Sequence, residues 1–399
     1  MEKPLPGPQP SPPPLYGASF LLMSAAGLFS TTSFSGFYLL SLFITEKGGS
    51  KTDIGVLMGV MSLSAVLCRP WISGLVDRIG RKKSYQLGCL MLATIPFLYT
   101  LLHGDINSMY LPLSLIRVIH GVGAAFCFTA SFTFIADIIP VNRLNEGLGS
   151  FGITGLIGMA AGPFFAEIII RKYGFNAQFL FGSVLAGLAL LVQAPLRESF
   201  KKSRAGEPSP SFLEVLKRRK ILIIACLGLL FGVGLGAYGN FVFPYSQSKG
   251  LPFASAYYLS YSASAVMTRI FGGRLADRVG EAGIAPWALF ITGSGLLYLV
   301  FLTSVSDLVI SGFITGCGHG FLFPCLNVLA LRNEPAEIRG KINGIYTGGI
   351  DAGVFLGSIF LGFVGDRAGF PTIFLLAGSS LMLGLLIYQL TMKKTLRPA

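Results

Sequence analysis

The chain is built from apolar runs of about 20 residues, the length that an α-helix needs to cross the hydrocarbon core of a bilayer. Twelve runs are predicted, at residues 16–43, 54–76, 85–102, 110–135, 148–170, 177–196, 221–245, 254–276, 285–302, 308–331, 342–364 and 370–392. Backbone groups in lipid must find their hydrogen bonds inside the same segment, so these runs predict helices rather than the short alternating strands of a barrel. The expected fold class is an all-α membrane protein with twelve transmembrane helices.

The composition agrees with a membrane-embedded chain. Hydrophobic residues make up 52% of the sequence and charged residues 12%. A soluble fold of 399 residues could not bury so much apolar surface. The six cysteines lie in apolar runs without a CxxC pair, and the three histidines are scattered. We therefore expect no disulfide, no metal site and no cofactor.

A polar stretch in the middle of the chain divides the runs into two groups of six, which predicts two pseudo-symmetric six-helix bundles. The expected boundaries are 1–15 for a disordered, proline-rich cytoplasmic tail, 16–196 for the N-terminal bundle, 197–220 for a cytoplasmic linker, 221–392 for the C-terminal bundle and 393–399 for a cytoplasmic tail. The first tail lacks the charged start, short apolar core and cleavage site of a signal peptide.

The distribution of basic residues predicts the orientation in the membrane. With the N-terminus inside, 22 of the 31 Lys and Arg residues fall in inner segments, six in outer loops and three within the spans. This bias predicts that both termini are cytoplasmic. The net charge of +13 then reflects topology and anionic inner-leaflet lipid, so no nucleic-acid partner is expected.

An internal repeat relates the two groups of helices. The segment 69–80 reads RPWISGLVDRIG, and the segment 269–280 reads RIFGGRLADRVG, with five identities at an offset of 200. A second register holds at an offset of 195, where Gly158 and Gly162 map to Gly353 and Gly357. Two parallel halves with a site at their interface are typical of secondary transporters.

Three segments resemble motifs of the major facilitator superfamily. The segment 74–83, GLVDRIGRKK, resembles motif A, and a second copy stands at 273–280. The segment 117–123, RVIHGVG, is similar to motif B. A third set matches the spacing of motif C, which in this superfamily marks drug–proton antiporters, although Ala166 and Glu167 replace its final glycine pair. The motif A residues are Gly74, Asp77, Arg78, Gly80, Arg81, Asp277, Arg278 and Gly280; the motif C residues are Gly149, Gly158, Gly162 and Pro163.

The motifs carry physical roles. The resemblance implies that Asp77 faces the N-terminus of the eleventh span, near Lys341, where a carboxylate gains about 0.3–1 kcal/mol from the helix dipole. That contact would latch one access state; the alternative is a plain basic turn that fixes topology. The glycines of motif C allow close helix packing, and a hinge or a proton seal is the sharper interpretation.

Charges inside the spans are the strongest functional candidates, because each costs at least about 2.5–3.5 kcal/mol at mid-membrane. Arg69 and Arg269 each precede a motif A acid by eight residues, and Asp351 lies about ten residues into the eleventh span. We expect these three residues to act in proton coupling or gating. The resemblance makes the second and eleventh spans neighbours. We hypothesise that Arg69 and Asp351 pair across the halves when the cytoplasmic side is closed, and that protonation of Asp351 favours opening. A fixed structural ion pair is the alternative.

Four further polar residues are candidates for the cavity: Arg117, His120, His319 and Asn240. Arg117 would meet substrate or tune a proton site, with structural pairing as the alternative. For the two histidines a hydrogen-bonded interior role stands beside a proton relay or ligand contact. Glu167, at the outer end of its span, is expected to be solvated.

These features predict a secondary transporter of a small organic solute that works by alternating access, with proton-coupled efflux favoured. The alternatives are an importer or uniporter on the same fold and, more remotely, a membrane-embedded enzyme. The enzyme lacks support because the sequence shows no histidine cluster, G-x-S-x-G elbow or P-loop. The expected partners are the lipid bilayer, the solute and protons. We expect a monomer in a bacterial inner membrane.

Overall fold

The computed structural model describes residues 16–140, 143–199 and 210–395, and every regular element in those residues is a helix. The helices are α1 Ala18–Gly36, α2 Leu40–Glu46, α3 Lys51–Ile79, α4 Arg81–Tyr99, α5 Ile106–Ile138, α6 Leu144–Val192, α7 Phe212–Leu216, α8 Arg219–Ser248, α9 Ala256–Val279, α10 Glu281–Tyr298, α11 Val305–Leu331, α12 Ala336–Ala368 and α13 Phe370–Thr395. The predicted tail at 1–15, the linker residues 200–209 and the end of the chain at 396–399 lie outside the described residues.

The helices are consistent with twelve crossings. Nine helices in the described residues are long and apolar enough to span a bilayer, with α1 and α2 counted as one because a single 3₁₀ turn joins them. One of the nine, α6, is interrupted at Gly174, where φ is 80°, a value that glycine adopts at little cost. This interruption divides α6 into two crossings. Two more helices, α4 and α9, are of spanning length but less apolar. The prediction of an all-α membrane fold is confirmed.

The crossings form two packed groups. Helices α1–α6 pack against one another, and α8–α13 form the second group. Large apolar side chains remain exposed on the outside of both, among them Trp71 and Phe301, each 73% exposed. Such a surface suits acyl chains rather than water, because its exposed side chains are large and apolar. The backbone behind it is hydrogen-bonded within helices and needs no water as a partner. The chain is an integral, multi-pass membrane protein.

The two groups meet mainly along two helix pairs, α3 with α12 and α6 with α9. At one end of the molecule α2 also contacts α8. We call this end, which carries the loop at residues 47–50, the outer end, and the opposite end, which carries the α3–α4 turn, the inner end. Glycines on α3 permit close approach: a β-carbon at Gly59 would lie 3.2 Å from the carbonyl oxygen of Phe355, and one at Gly55 would collide with the carbonyl of Ser358.

Candidate coupling and translocation site

An ion pair joins the two groups of helices in the interior of the α3–α12 contact. Nη2 of Arg69 on α3 contacts Oδ2 of Asp351 on α12, and Nη1 of Arg69 donates to the hydroxyl of Thr347 at 2.7 Å. Both charged side chains are 26% exposed. The guanidinium therefore holds two polar groups one helical turn apart on the opposite half. The sequence analysis brought Arg69 and Asp351 together, and their contact is present in the structure.

Toward the inner end from this pair, Gly340 lies on the same face of α12 as Thr347 and Asp351. A β-carbon at Gly340 would meet no atom within 4 Å, so α3 does not pack against α12 at this position. We expected the Arg69–Asp351 pair to form with the inner end closed. The pair is present here, and its dependence on the access state stays a prediction.

The motif A acid is free of the opposite half in this form. Among the described side chains, Asp77 pairs with Arg81 at 3.1 Å and is 64% exposed. Its predicted contact with the start of α12 near Lys341 is therefore not made here. The Nζ of Lys341 donates instead to the carbonyl oxygen of Pro210 at 2.6 Å.

The remaining motif A residues shape the inner-end turns. Gly80, with φ of 102°, separates α3 from α4, and Gly280, with φ of 76°, separates α9 from α10. Positive φ is the conformation that favours glycine, which explains the residue at both turns. Arg78 and Arg278 are exposed. The side chain of Asp277 lies outside the described residues.

At the outer end, a carboxylate of each half binds the N-terminus of a helix of the other half. Glu167 of α6 accepts from the backbone N–H groups of Ala254 and Ser255, at 3.1 and 2.8 Å, just before α9. It is 6% exposed and also pairs with Arg171 at 2.8 Å. The prediction that Glu167 is solvated is wrong, because the start of α9 supplies donors that cover the carboxylate.

Asp366 of α12 makes the corresponding contact with α3. It accepts from the backbone N–H groups of Lys51 and Thr52, each at 2.8 Å, and its Oδ1 lies 3.7 Å from Nζ of Lys51. A carboxylate at a helix N-terminus satisfies otherwise free N–H groups and is stabilised by the helix dipole. We call these two contacts, Glu167 with α9 and Asp366 with α3, the outer caps.

Two small cavities lie beside the outer caps. One of about 220 Å³ is lined by Lys51 and Asp366, and one of about 200 Å³ is lined by Glu167 and Arg171. Gln247 of α8 borders both. The caps and the close helix contacts join the two halves at the outer end, whereas Asp77 at the inner end makes no contact with the other half among the described side chains.

Arg117 lies inside the N-terminal group. Its Nε and Nη2 donate to the carbonyl oxygens of Leu57 and Met58 on α3, at 3.1 and 3.2 Å, and it is 2% exposed. His120, one turn along α5, is fully buried, with Nδ1 3.1 Å from the hydroxyl of Tyr99. Backbone carbonyls and a tyrosine of the same group therefore bind these two side chains, and a role in the cavity stays a prediction.

His319 belongs to a buried polar chain in the C-terminal group. The hydroxyl of Tyr261 contacts Nδ1 of His319 and lies 3.0 Å from the hydroxyl of Tyr238, whose carbonyl accepts from Tyr258 at 2.7 Å. Tyr258 and Tyr261 were not predicted as site residues. Their spacing with Tyr257 in the sequence does indicate an aromatic cluster on one part of α9.

Asn240 joins two helices of the C-terminal group, and the motif C residues join two helices of the N-terminal group. The side-chain amide of Asn240 donates to the hydroxyl of Ser358 at 2.7 Å, linking α8 to α12. The hydroxyl of Ser35 on α1 donates to the carbonyl of Gly158 at 2.8 Å, and a β-carbon at Gly162 would lie 2.5 Å from the carbonyl oxygen of Thr32. Pro163 follows within α6. A β-carbon at Gly149 would meet no atom within 4 Å, so this position is not part of that packing.

Arg269 on α9 faces α6 of the opposite group. Its Nη1 would lie 2.5 Å from a β-carbon at Gly152. Its Nε is buried without an acceptor, and neither terminal nitrogen donates to a residue in the described part of the chain. Within the described residues there is also no group of three or more His, Cys, Asp or Glu side chains suited to a metal ion.

Comparison with known proteins agrees with this architecture. The profile of the Major Facilitator Superfamily matches residues 20–307 and again 258–398. The staphylopine export protein of Staphylococcus aureus is 25% identical over 392 residues, covering 92% of this chain and 94% of that protein. The quinolone resistance protein NorA of the same species is 24% identical over 392 residues, covering 92% and 93%.

Solved structures show the same fold at lower identity. The nucleoside transporter NupG superposes with a TM-score of 0.75 at 14% identity, covering 93% of this chain and 99% of that chain. At such identity the match concerns the fold alone. Because the two matches of the family profile together cover residues 20–398, nearly the whole sequence, the chain belongs to the major facilitator superfamily.

Proposed function

We propose that this transporter exports a small organic solute in exchange for protons and that Asp351 is the proton carrier. The observation that carries the proposal is the Arg69–Asp351 ion pair, because it joins the two halves in the membrane interior. An acid in such a place is expensive and is expected to have a partner or a function. The names of two relatives, the staphylopine export protein and the quinolone resistance protein, support efflux as the direction.

The proposed cycle starts from the inner-facing form. Here Asp351 has released its proton inward and is held as a carboxylate by Arg69, and the open inner end admits solute. After the switch to an outer-facing form, solute leaves and Asp351 takes up a proton from outside. The neutral acid no longer pairs with Arg69, and the transporter returns to release the proton inward. One solute therefore moves outward as one proton moves inward on this carboxylate.

The orientation and setting belong to the same proposal. The basic bias of the inner segments supports both termini in the cytoplasm, and the compact loops support a bacterial inner membrane. Each molecule holds both halves and their interface, which supports function as a monomer, with lipid and solute as partners. The two packed groups support domain boundaries near 196 and 221.

Flux measurements in proteoliposomes with an imposed pH gradient test the proposal. A quinolone and a panel of small organic solutes are screened with wild type, Asp351→Asn and the matched control Glu146→Gln, which replaces an exposed acid paired only with Arg143 three residues away. We expect wild type and the control to move solute against its gradient only when protons flow in the opposite direction. Asp351→Asn should keep solute exchange but lose the pH drive.

Two results would count against the proposal. If flux follows the solute gradient and ignores pH in all three proteins, the chain is a facilitator and Asp351 is structural. If Arg69→Ala and Asp351→Ala each abolish transport and the exchanged pair Arg69→Asp with Asp351→Arg restores none, direct pairing loses its support.

A further inference from the structure

The internal repeat makes Arg269 the counterpart of Arg69, and the partners of the two residues can be compared position by position. Arg69 binds Thr347 and Asp351 on α12. At the offset of 195 that relates the fourth and fifth spans to the tenth and eleventh, Thr347 corresponds to Gly152 and Asp351 to Leu156. Both polar partners are therefore replaced on α6, by a residue without a side chain and by an apolar one.

The geometry shows that Arg269 nevertheless occupies the equivalent place. Its Nη1 lies directly over Gly152, in the contact between α9 and α6, just as Arg69 lies over Thr347 in the contact between α3 and α12. Gly152 and position 156 are one turn apart on the same face of α6. The guanidinium thus lies at the position where its repeat counterpart finds a hydroxyl, one turn from the position where that counterpart finds a carboxylate, and α6 carries neither group at these two positions.

The surface beside Arg269 leaves room for a ligand group. β-carbons at Gly149 and Gly155, which flank Gly152 by three residues on either side, would meet no atom within 4 Å. This part of α6 lies toward the inner end. A guanidinium presents five N–H donors in a planar fork that matches carboxylate or phosphate, and it stays charged under all ordinary conditions.

We infer that Arg269 binds an oxyanion, a carboxylate or phosphate, carried by the transported solute. This inference rests on the proposed transport function and narrows the substrate to anionic or zwitterionic solutes. The solute group takes the place that Asp351 has in the other half: it bridges Arg269 to α6 and so links the halves only when the solute is bound. A neutral solute leaves the guanidinium unpaired between the two halves, which is costly in a membrane interior.

Binding measured without transport tests the inference. Purified full-length protein in phosphatidylcholine nanodiscs is heated with benzoate or 1-naphthoate and, in parallel, with the neutral amides benzamide and 1-naphthamide. We expect the two carboxylates to raise the melting temperature in a concentration-dependent manner and the amides to leave it unchanged. Arg269→Gln should weaken the carboxylate response about tenfold or more, because it removes a charge-assisted hydrogen bond.

A second variant guards against misfolding of Arg269→Gln. Leu156→Asp keeps Arg269 and installs the carboxylate found in the other half, so it should raise the melting temperature without ligand and abolish the response to carboxylates. Arg367→Gln, which changes a guanidinium at the outer end that contacts only its own helix, is the matched control and should respond as wild type does.

Three outcomes would overturn the inference. The first is no carboxylate response in wild type, and the second is an undiminished response in both Arg269→Gln and Leu156→Asp. The third is protection by phosphatidylglycerol nanodiscs that requires Arg269 and leaves carboxylates without further effect, which would assign the site to a lipid headgroup. Because no flux is measured, a failure of proton coupling leaves these results unaffected, and the two proposals can fail separately.

Discussion

Arg69 on α3 and Arg269 on α9 stand at equivalent places in the two halves, yet their surroundings differ. Arg69 is held by Thr347 and Asp351 of α12, whereas Arg269 faces Gly152 of α6 without a described acceptor. The backbone framework is shared, so the difference comes from a few side chains on the two facing helices. A repeated fold can therefore use one arginine to bind a carboxylate of the protein itself, and we propose that the other binds an oxyanion of the solute.

The largest effect is expected from making the two places alike. The double variant Gly152→Thr with Leu156→Asp gives Arg269 the same partners as Arg69 and should lower solute flux about a hundredfold. The reason is that a permanent charge-assisted contact between α6 and α9 resists their separation, and a contact of about 3 kcal/mol corresponds to that factor. The predicted fall is measured as the flux of the solute identified in the proteoliposome screen, in the double variant and in wild type.

The control for this graft is Gly149→Ala, which adds a side chain to the same helix where a β-carbon meets open space. It should transport nearly as wild type does. Wild-type flux in the double variant would show that the two arginines do not differ in function, and the comparison between them would fail.

An intermediate effect is expected at the outer caps, where the two halves are similar rather than different. Glu167→Gln and Asp366→Asn should each favour the outer-open form about fivefold, because a carboxylate at a helix N-terminus contributes about 1 kcal/mol. Spin labels on the outer ends of α6 and α9, or of α3 and α12, measure the distance between the two labelled helices, and a larger population at long distance reports the outer-open form.

Asp53→Asn provides the matched control for the caps. Asp53 binds the backbone N–H and hydroxyl of Ser50 at the start of α3 and so caps the same helix without contacting the other half. Its replacement should lower thermal stability and leave the label distances unchanged. Equal distance changes in Asp53→Asn and Asp366→Asn would mean that the outer caps act only on local helix stability.

The smallest effect is expected from Thr347→Ala, which removes one of the two partners of Arg69. A single hydrogen bond contributes about 1 kcal/mol or less net, so proton-driven exchange should fall about threefold. The pH dependence of exchange should move to higher pH, because proton binding to Asp351 competes with a weaker ion pair. Exchange rates across a pH series check this, and an unchanged profile would show that Thr347 does not support the pair.

The sequence predicted the features that depend on hydropathy and repetition. Apolar runs of spanning length gave the helices, and the depth of Arg69 and Asp351 in two neighbouring spans predicted their contact. Glu167 could not be placed in this way, because its solvation depends on the start of α9, which is 87 residues away in the chain. The acceptors of Arg117, the carbonyls of Leu57 and Met58, could not be predicted either, because they are backbone groups that no residue type in the sequence identifies.

The access state was also beyond the sequence. Asp77 has the residue type and setting of a latch in any state, and only coordinates show whether the start of α12 is near it. Likewise, the position of Gly152 opposite the guanidinium of Arg269 is a structural finding. Repeat registers supply the correspondence between positions, and the structure supplies which positions face each other.

The small cavities beside Asp366 and Glu167 lie on the boundary between the two halves. Each is lined by residues of both halves, so its shape belongs to the form in which the outer caps are closed. A compound that fills one of them would hold the transporter in that form by mass action. Under the proposed topology such a compound acts from outside the cell, so it need not cross the membrane.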